Sequence, residues 1–286
     1  MMRALLLLAL LAGPARADAP AALAAEFSDM ARLGLKPARI LSQKVGGAVL
    51  HAVIFHDGNL DVDKFNVYTE RAGKAVMVYT HPSGIEKQEL HASVKPEGFP
   101  ELLEPGAKTL AYYTLVPGLG TRTLHVLRYD KPRFRQAGEF PEGRIEDSTG
   151  ERVFIARELP LGRFLSTGCE NFDTMTKAAY RTEVYAWKKS RFVEVSSSHP
   201  KIYQRQIAQA EESLSLLQKE KHPGEYLGLA ISLYYDHAAL GEREAGWKRL
   251  SAALEPPRTR MPGVAQCVRT VKDGLRRKLS IPDAWP

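Results

Sequence analysis

After its first seventeen residues the chain has no apolar run near the roughly 20 residues that a membrane-spanning helix needs, so no such helix is expected there. Cysteine is almost absent: Cys169 and Cys267 are the only two. Local catalytic signatures are missing as well. There is no zinc-binding helix motif, no nucleophile elbow and no phosphate-binding loop. Pro117-Gly118-Leu119-Gly120-Thr121 holds two glycines without the rest of a dinucleotide fingerprint, and it reads as a turn. Histidines form no chelating pattern. His51 and His56 are an odd number of residues apart, which points them to opposite faces of a strand. Asp236 and His237 are adjacent on an expected helix, which also turns them apart. No catalytic residue is therefore assigned, and any active site would have to be assembled by the fold.

What is present begins with an address. Met1 to Ala17 opens on Arg3, continues with apolar residues from Ala4 to Ala12, and ends in Ala15-Arg16-Ala17. This is the three-part pattern of a secretory signal peptide, with cleavage expected after Ala17 and a periplasmic or extracellular destination. No cysteine follows the cleavage site, so no lipid anchor is expected there.

Charge is unevenly placed. Lysine and arginine number 40 against 33 acids, a net charge of +7. Outside the leader, the excess lies after residue 255, where Arg258, Arg260, Arg269, Lys272, Arg276, Arg277 and Lys278 face only Asp273 and Asp283. Such a cluster suits an anionic surface through long-range attraction. It also suits a solvated helix with cations near its C-terminus, where the helix dipole favours them. No aromatic residues interleave with these bases, and export argues against nucleic acid as a partner.

The order of textures predicts an α+β fold: a mostly antiparallel β domain, an open sheet or sandwich, followed by a C-terminal helical domain. Residues 18–44 read as a short helix and a linker, with Leu23, Phe27, Met30 and Leu33 at helical spacing and Gly34 as the stop. Residues 45–198 read as strands, among them Ala48 to Phe55, Ala75 to Tyr79, Leu110 to Val116, His125 to Tyr129 and Arg152 to Ala156. Residues 199–286 read as about four helices. In the first, Tyr203, Ile207, Ala210, Leu214 and Leu217 make one apolar stripe. The others run from Glu225 to Leu240, from Glu242 to Leu254, and from Val264 to Leu279, the last being basic.

Two resemblances lie within this pattern. Val126, Tyr129, Lys131, Arg133 and Phe134 align with Val184, Trp187, Lys189, Arg191 and Phe192 at an offset of 58, with a weaker copy from Val67 through Lys74-Ala75-Val76. The aromatic, turn and Arg-Phe texture resembles FG-GAP-type β-propeller repeats. Propellers close with about 4–8 blades, so three units predict an open arrangement. Leu240-Gly241-Glu242 with Leu250, Ala253 and Leu254 resembles a single tetratricopeptide-like hairpin. It departs from that family at Gly246, where alanine is usual, and at Tyr234, where a small residue is usual.

One loop carries ligand chemistry. Asp57, Asn59, Asp61 and Asp63 place oxygens at alternate positions, as a hard cation such as calcium requires. Val62 stands where an ion-binding loop wants glycine, and Tyr68 where an EF-hand has its closing glutamate. The other reading is an acidic turn whose side chains bond local backbone. No other cofactor is implied. An exported chain also meets an oxidising compartment, where Cys169 and Cys267 are expected to pair, the alternative being two buried thiols. Two functions stay open. The first is a non-catalytic binding or scaffold protein recognising a protein or envelope polymer. The second is a hydrolase of an envelope polymer with a site assembled by the fold. A pocket of convergent ionisable groups would favour the second.

Overall fold

A computed structural model describes residues 20–45, 47–82, 86–90, 99–116, 121–161, 178–217, 222–255 and 264–285. The leader, the turn at 117–120, Cys169, Arg258 and Arg260 lie outside the described residues. The fold is α+β: the described residues form twelve strands in three open antiparallel sheets, and five helices, four of them after the last described strand.

A short 3-10 turn (Ala21–Leu23) leads into α1 (Ala24–Arg32) and then into the first sheet. That sheet is β1 (Leu35–Val45), β2 (Ala48–Asp57), β3 (Val62–Arg71) and β4 (Lys74–Thr80), in chain order. The second is β5 (Lys87–Leu90), β6 (Thr109–Leu115), β7 (Arg122–Asp130) and β8 (Arg133–Pro141). The third is β9 (Arg144–Ser148), β10 (Glu151–Glu158), β11 (Arg181–Lys188) and β12 (Arg191–Glu194). The helices α2 (Pro200–Leu216), α3 (Pro223–Ala239), α4 (Arg243–Ala253) and α5 (Val264–Lys278) follow.

The sequence offset of 58 marks equivalent hairpins. Tyr129 and Phe134 flank the β7–β8 turn with ring centroids 5.0 Å apart, and Trp187 and Phe192 flank the β11–β12 turn at the same 5.0 Å. The weaker copy falls on the β3–β4 turn at Ala72 and Gly73. The repeat is thus the last hairpin of each sheet. Both Lys189 and Ser190 have positive φ, 50° and 62°, which matches the turn to the strand twist in a two-residue hairpin.

Residues 35–45 correct the expected linker, because they form strand β1. It is an edge strand whose side chains are mostly exposed, so it lacks an apolar run. Its ladder slips between Pro37 and Arg39, an irregularity that proline tolerates only at an edge or bulge. On the next strand Val53 and Phe55 pack with Leu23, Met30 and Tyr68 under α1, and Phe27 meets Phe55 edge-on at 5.8 Å.

The chain divides into two compact units. One comprises residues 1–100, 108–120 and 128–135; the other 101–107, 121–127 and 136–286. The boundary expected at 198/199 is a change of texture, whereas compactness groups β9–β12 with the helices. In that second unit Val153, Ile155, Val184 and Ala186 of the sheet pack with Ile202 and Tyr203 of α2. A second core gathers Leu227, Ile231, Trp247, Leu250, Val271 and Leu275 from α3, α4 and α5.

The α3–α4 corner turns on Gly241, whose φ of 81° is the left-handed conformation that ends helices. Gly246 has a different reason. A β-carbon there would lie 2.8 Å from His237 Cβ and 3.1 Å from the Tyr234 carbonyl oxygen. The two helices approach too closely at this point for the alanine usual in tetratricopeptide hairpins.

Candidate functional site

The second unit holds a cavity of about 290 Å³, built where the apolar packing of sheet and helices gives out. Along β10 the inward face runs Val153, Ile155, Arg157, and on β11 it runs Ala186, Val184, Thr182. Arg157 and Thr182 are register partners, so the polar ends of the two faces stand side by side. Two helices complete the walls. Gln206, Gln209, Ala210 and Ser213 of α2 follow i, i+3, i+4, i+7 spacing, and Leu229, Ser232 and Asp236 of α3 follow i, i+3, i+7. Each set therefore shares one helix face. Ala178 and Tyr180 close the remaining side.

Hydrogen bonds fix several of these groups. Thr182 Oγ1 donates to Gln206 Oε1 at 2.7 Å, and the Tyr203 hydroxyl donates to the Thr182 carbonyl at 3.2 Å. Gln206 is thereby oriented with Nε2 as its remaining donor, and that buried nitrogen has no partner. Ser232 Oγ donates to the Gly228 carbonyl at 3.0 Å and accepts the Tyr180 amide at 2.8 Å. Arg157 lies with its guanidinium carbon 6.0 Å from the centre of the Tyr180 ring.

The electrostatics are unusual. Asp236 is only 4% exposed, and burial pushes its carboxyl up to about 7 despite the opposing charges of Arg157 and Arg144. Burial, then Arg144, also lowers the Arg157 guanidinium, against the pull of Asp236. Among the described residues neither Arg157 nor Asp236 makes a side-chain ion pair or hydrogen bond within the distances that define one. A half-buried cation, a buried acid and a buried amide donor thus face one small space.

The sequence named neither Arg157 nor Gln206, and it took Asp236 only with His237. His237 turns instead to Glu242, with Nδ1 2.8 Å from Oε2. A signal was present nevertheless: Asp236 is the one acid within the mostly apolar Leu229 to Leu240 stretch. On α2 Tyr203 and Ala210 of the expected stripe are buried and Ile207 and Leu214 half-buried, and Gln206 is buried beside them, which the apolar spacing did not announce.

The acidic loop is the β2–β3 turn, and its side chains are engaged separately. Asp57 Oδ1 accepts the amides of Asn59 and Leu60 at 2.8 and 3.2 Å. Asp61 pairs with Lys87 at 2.7 Å, whose hydrogen bond holds its carboxyl below the usual range. Asp63 lies 2.8 Å from His56 Nδ1 and accepts the Gln88 amide at 2.8 Å. Among the described residues no group of three or more His, Cys, Asp and Glu side chains is arranged to hold a metal ion. Millimolar calcium should accordingly leave the melting temperature unchanged, because a ligand stabilises only the state that it binds. An upward shift that disappears in Asp61→Ala would establish an ion site.

His51 and His56 are not brought together. His51 Nδ1 lies 2.7 Å from Ser42 Oγ, and burial lowers its pKa. In the basic C-terminal helix, Lys272 bonds Ser251 Oγ at 2.7 Å. Arg276 donates to the Trp285 and Pro282 carbonyls at 3.0 and 2.8 Å and lies 5.3 Å from the Trp247 ring centre. Part of that charge therefore serves packing. Cys267 is half-buried against the helical core, and no described cysteine is free. Comparison with known proteins finds no matching family, no matching curated protein and no matching solved structure.

Proposed function

We propose that this chain is an exported, non-catalytic binding protein of the periplasm or extracellular space that recognises a protein or envelope polymer through the Arg157–Asp236 cavity. One observation carries the reading: among the described residues the buried Gln206 Nε2 has no protein partner and neither Arg157 nor Asp236 is paired, whereas the Thr182 and Ser232 hydroxyls are already bonded. Unpartnered buried polar groups cost stability, and a ligand that satisfies them repays it. Thr182 bonds an amide oxygen and Ser232 bonds backbone, so neither is paired with a base as a nucleophile would be. Export is supported by the pattern of Met1 to Ala17.

The hydrolase reading has one observation in its favour. A carboxyl near 7 suits general acid or base work at neutral pH. Polymer-cleaving glycosidases, however, set two carboxyls about 5–10 Å apart, and among the described residues the cavity lining holds Asp236 alone. The test is turnover. Mature protein, its N-terminus at Asp18 confirmed by mass spectrometry, is incubated with chromogenic esters, glycosides and peptides and with purified envelope polymer. No turnover above buffer is expected. Turnover by the native protein that Asp236→Asn abolishes would replace binding with catalysis.

A further inference from the structure

The cavity sets a half-buried cation and a buried acid beside each other without joining them. Arg157 and Asp236 are close enough for each to perturb the other, yet no ion pair within 4.0 Å links them. A ligand with one charge would satisfy one of them and repel the other. A cation alone meets Arg157, and an anion alone meets Asp236 as it ionises. Both are satisfied by a molecule that carries the two charges on neighbouring atoms. Resting on the binding reading above, we infer that the cavity recognises the zwitterionic head of an amino acid, with its α-carboxylate on Arg157 and Gln206 Nε2 and its α-ammonium on Asp236.

Three features fit that ligand. The Thr182 bond to Oε1 leaves Gln206 Nε2 as a fixed donor beside the cation, and guanidinium with amide is a two-donor cradle for carboxylate oxygens. The volume of about 290 Å³ lies at the low end for small-molecule sites, suiting a head group rather than a large ligand. Ala210, Leu229 and the Tyr180 ring supply an apolar wall for a small side chain.

The charges also set a pH dependence. The ionisable groups that influence Asp236 are Arg157 and Arg144 of the sheet and Tyr203 of α2, with Tyr180 and Glu142 acting on Arg157. Among the described residues no histidine is one of them. An ammonium favours ionised Asp236, so affinity should rise between pH 6 and pH 8 as Asp236 loses its proton.

The experiment is calorimetric titration of the mature protein at both pH values. Alanine and glutamate present the head group free, and γ-glutamylglycylglycine presents it on the end of a chain. N-acetylalanine lacks the positive charge and alaninamide the negative one. The first three probes should include a binder whose affinity rises about tenfold from pH 6 to pH 8. The last two should bind on the order of 30-fold more weakly, as for a desolvated charge left unpaired. Asp236→Asn and Arg157→Gln should each lose binding while still melting cooperatively, and Gln206→Leu provides a third variant that removes only the amide donor. N-acetylalanine binding as tightly as alanine would overturn the zwitterion and leave the binding reading standing. So would affinity falling toward pH 8, or binding by none of the probes. Only the turnover described above would remove the binding reading itself. Binding of the γ-glutamyl peptide but not the free amino acids would place the head group on a polymer or peptide.

Discussion

Replacing Trp247 with alanine is expected to cost about 3–5 kcal/mol of folding stability, the range for removing a large aromatic from a packed core. The ring is fully buried at the centre of the α3–α4–α5 core, against Leu227, Ile231, Leu250, Val271 and Leu275. Its loss would also release Arg276, which stacks 5.3 Å from the ring centre and ties down the carbonyls of Pro282 and Trp285. Cation–π contacts contribute about 0.5–2 kcal/mol, depending on burial. Small domains hold only about 5–15 kcal/mol in total, so this single change would remove a large fraction. Urea denaturation provides the measurement. A cost under about 1.5 kcal/mol would show that the core closes over the cavity and that Trp247 is not its keystone. Arg276→Lys keeps the charge but loses the planar fork, and it should cost distinctly less.

Asp236→Asn is expected to stabilise the protein at neutral and alkaline pH. The sign follows from linkage. In the folded state the carboxyl binds its proton up to about 7, whereas in the unfolded chain it releases it near 3.8. Below pH 3.8 both states hold the proton and no penalty exists. Between 3.8 and about 7 the unfolded state gains by ionising and the folded state does not, so stability falls as pH rises. Above 7 the full penalty is present, at most about 4 kcal/mol for a difference of this size. Asparagine removes the titration and should flatten the decline. Chemical denaturation of both proteins at pH 5 and pH 8 measures it, with a gap between them that widens toward pH 8. Equal gaps at both pH values would show that Asp236 is ionised throughout.

The fold was legible where burial is two-sided or strictly periodic. Ala52, Val53, Ile54 and Phe55 form a run that only a covered strand supplies, and β2 is buried on both faces. The repeated hairpins were visible because aromatic side chains must sit at fixed distances from a two-residue turn. Strand β1 was not legible, since an edge strand with Lys36, Pro37 and Arg39 facing solvent carries no apolar signal. The cavity was harder still. Arg157, Gln206 and Asp236 come from one strand and two helices, far apart in the chain, and no local spacing connects them. On α2 the apolar stripe through Tyr203 and Ala210 lies on the buried side as expected, but it says nothing of Gln206, which is buried beside it. Gln206 is held inward by Thr182, because its amide finds a partner there that no apolar side chain could use.

The strand order within each sheet has a kinetic side. Within each sheet every strand lies beside its neighbour in the chain, and most ladders form across a turn of a few residues, the exceptions being β5–β6 across residues 91–108 and β10–β11 across residues 159–180. Closing a short loop costs little entropy, and the cost of longer ones grows with the logarithm of length. Chains whose partners are sequence neighbours have low contact order and fold faster than sandwiches of crossed strands. The hairpins can therefore zip from their own turns, the last ones primed at Tyr129–Phe134 and Trp187–Phe192, while the ladders across residues 91–108 and 159–180 pay more entropy to close.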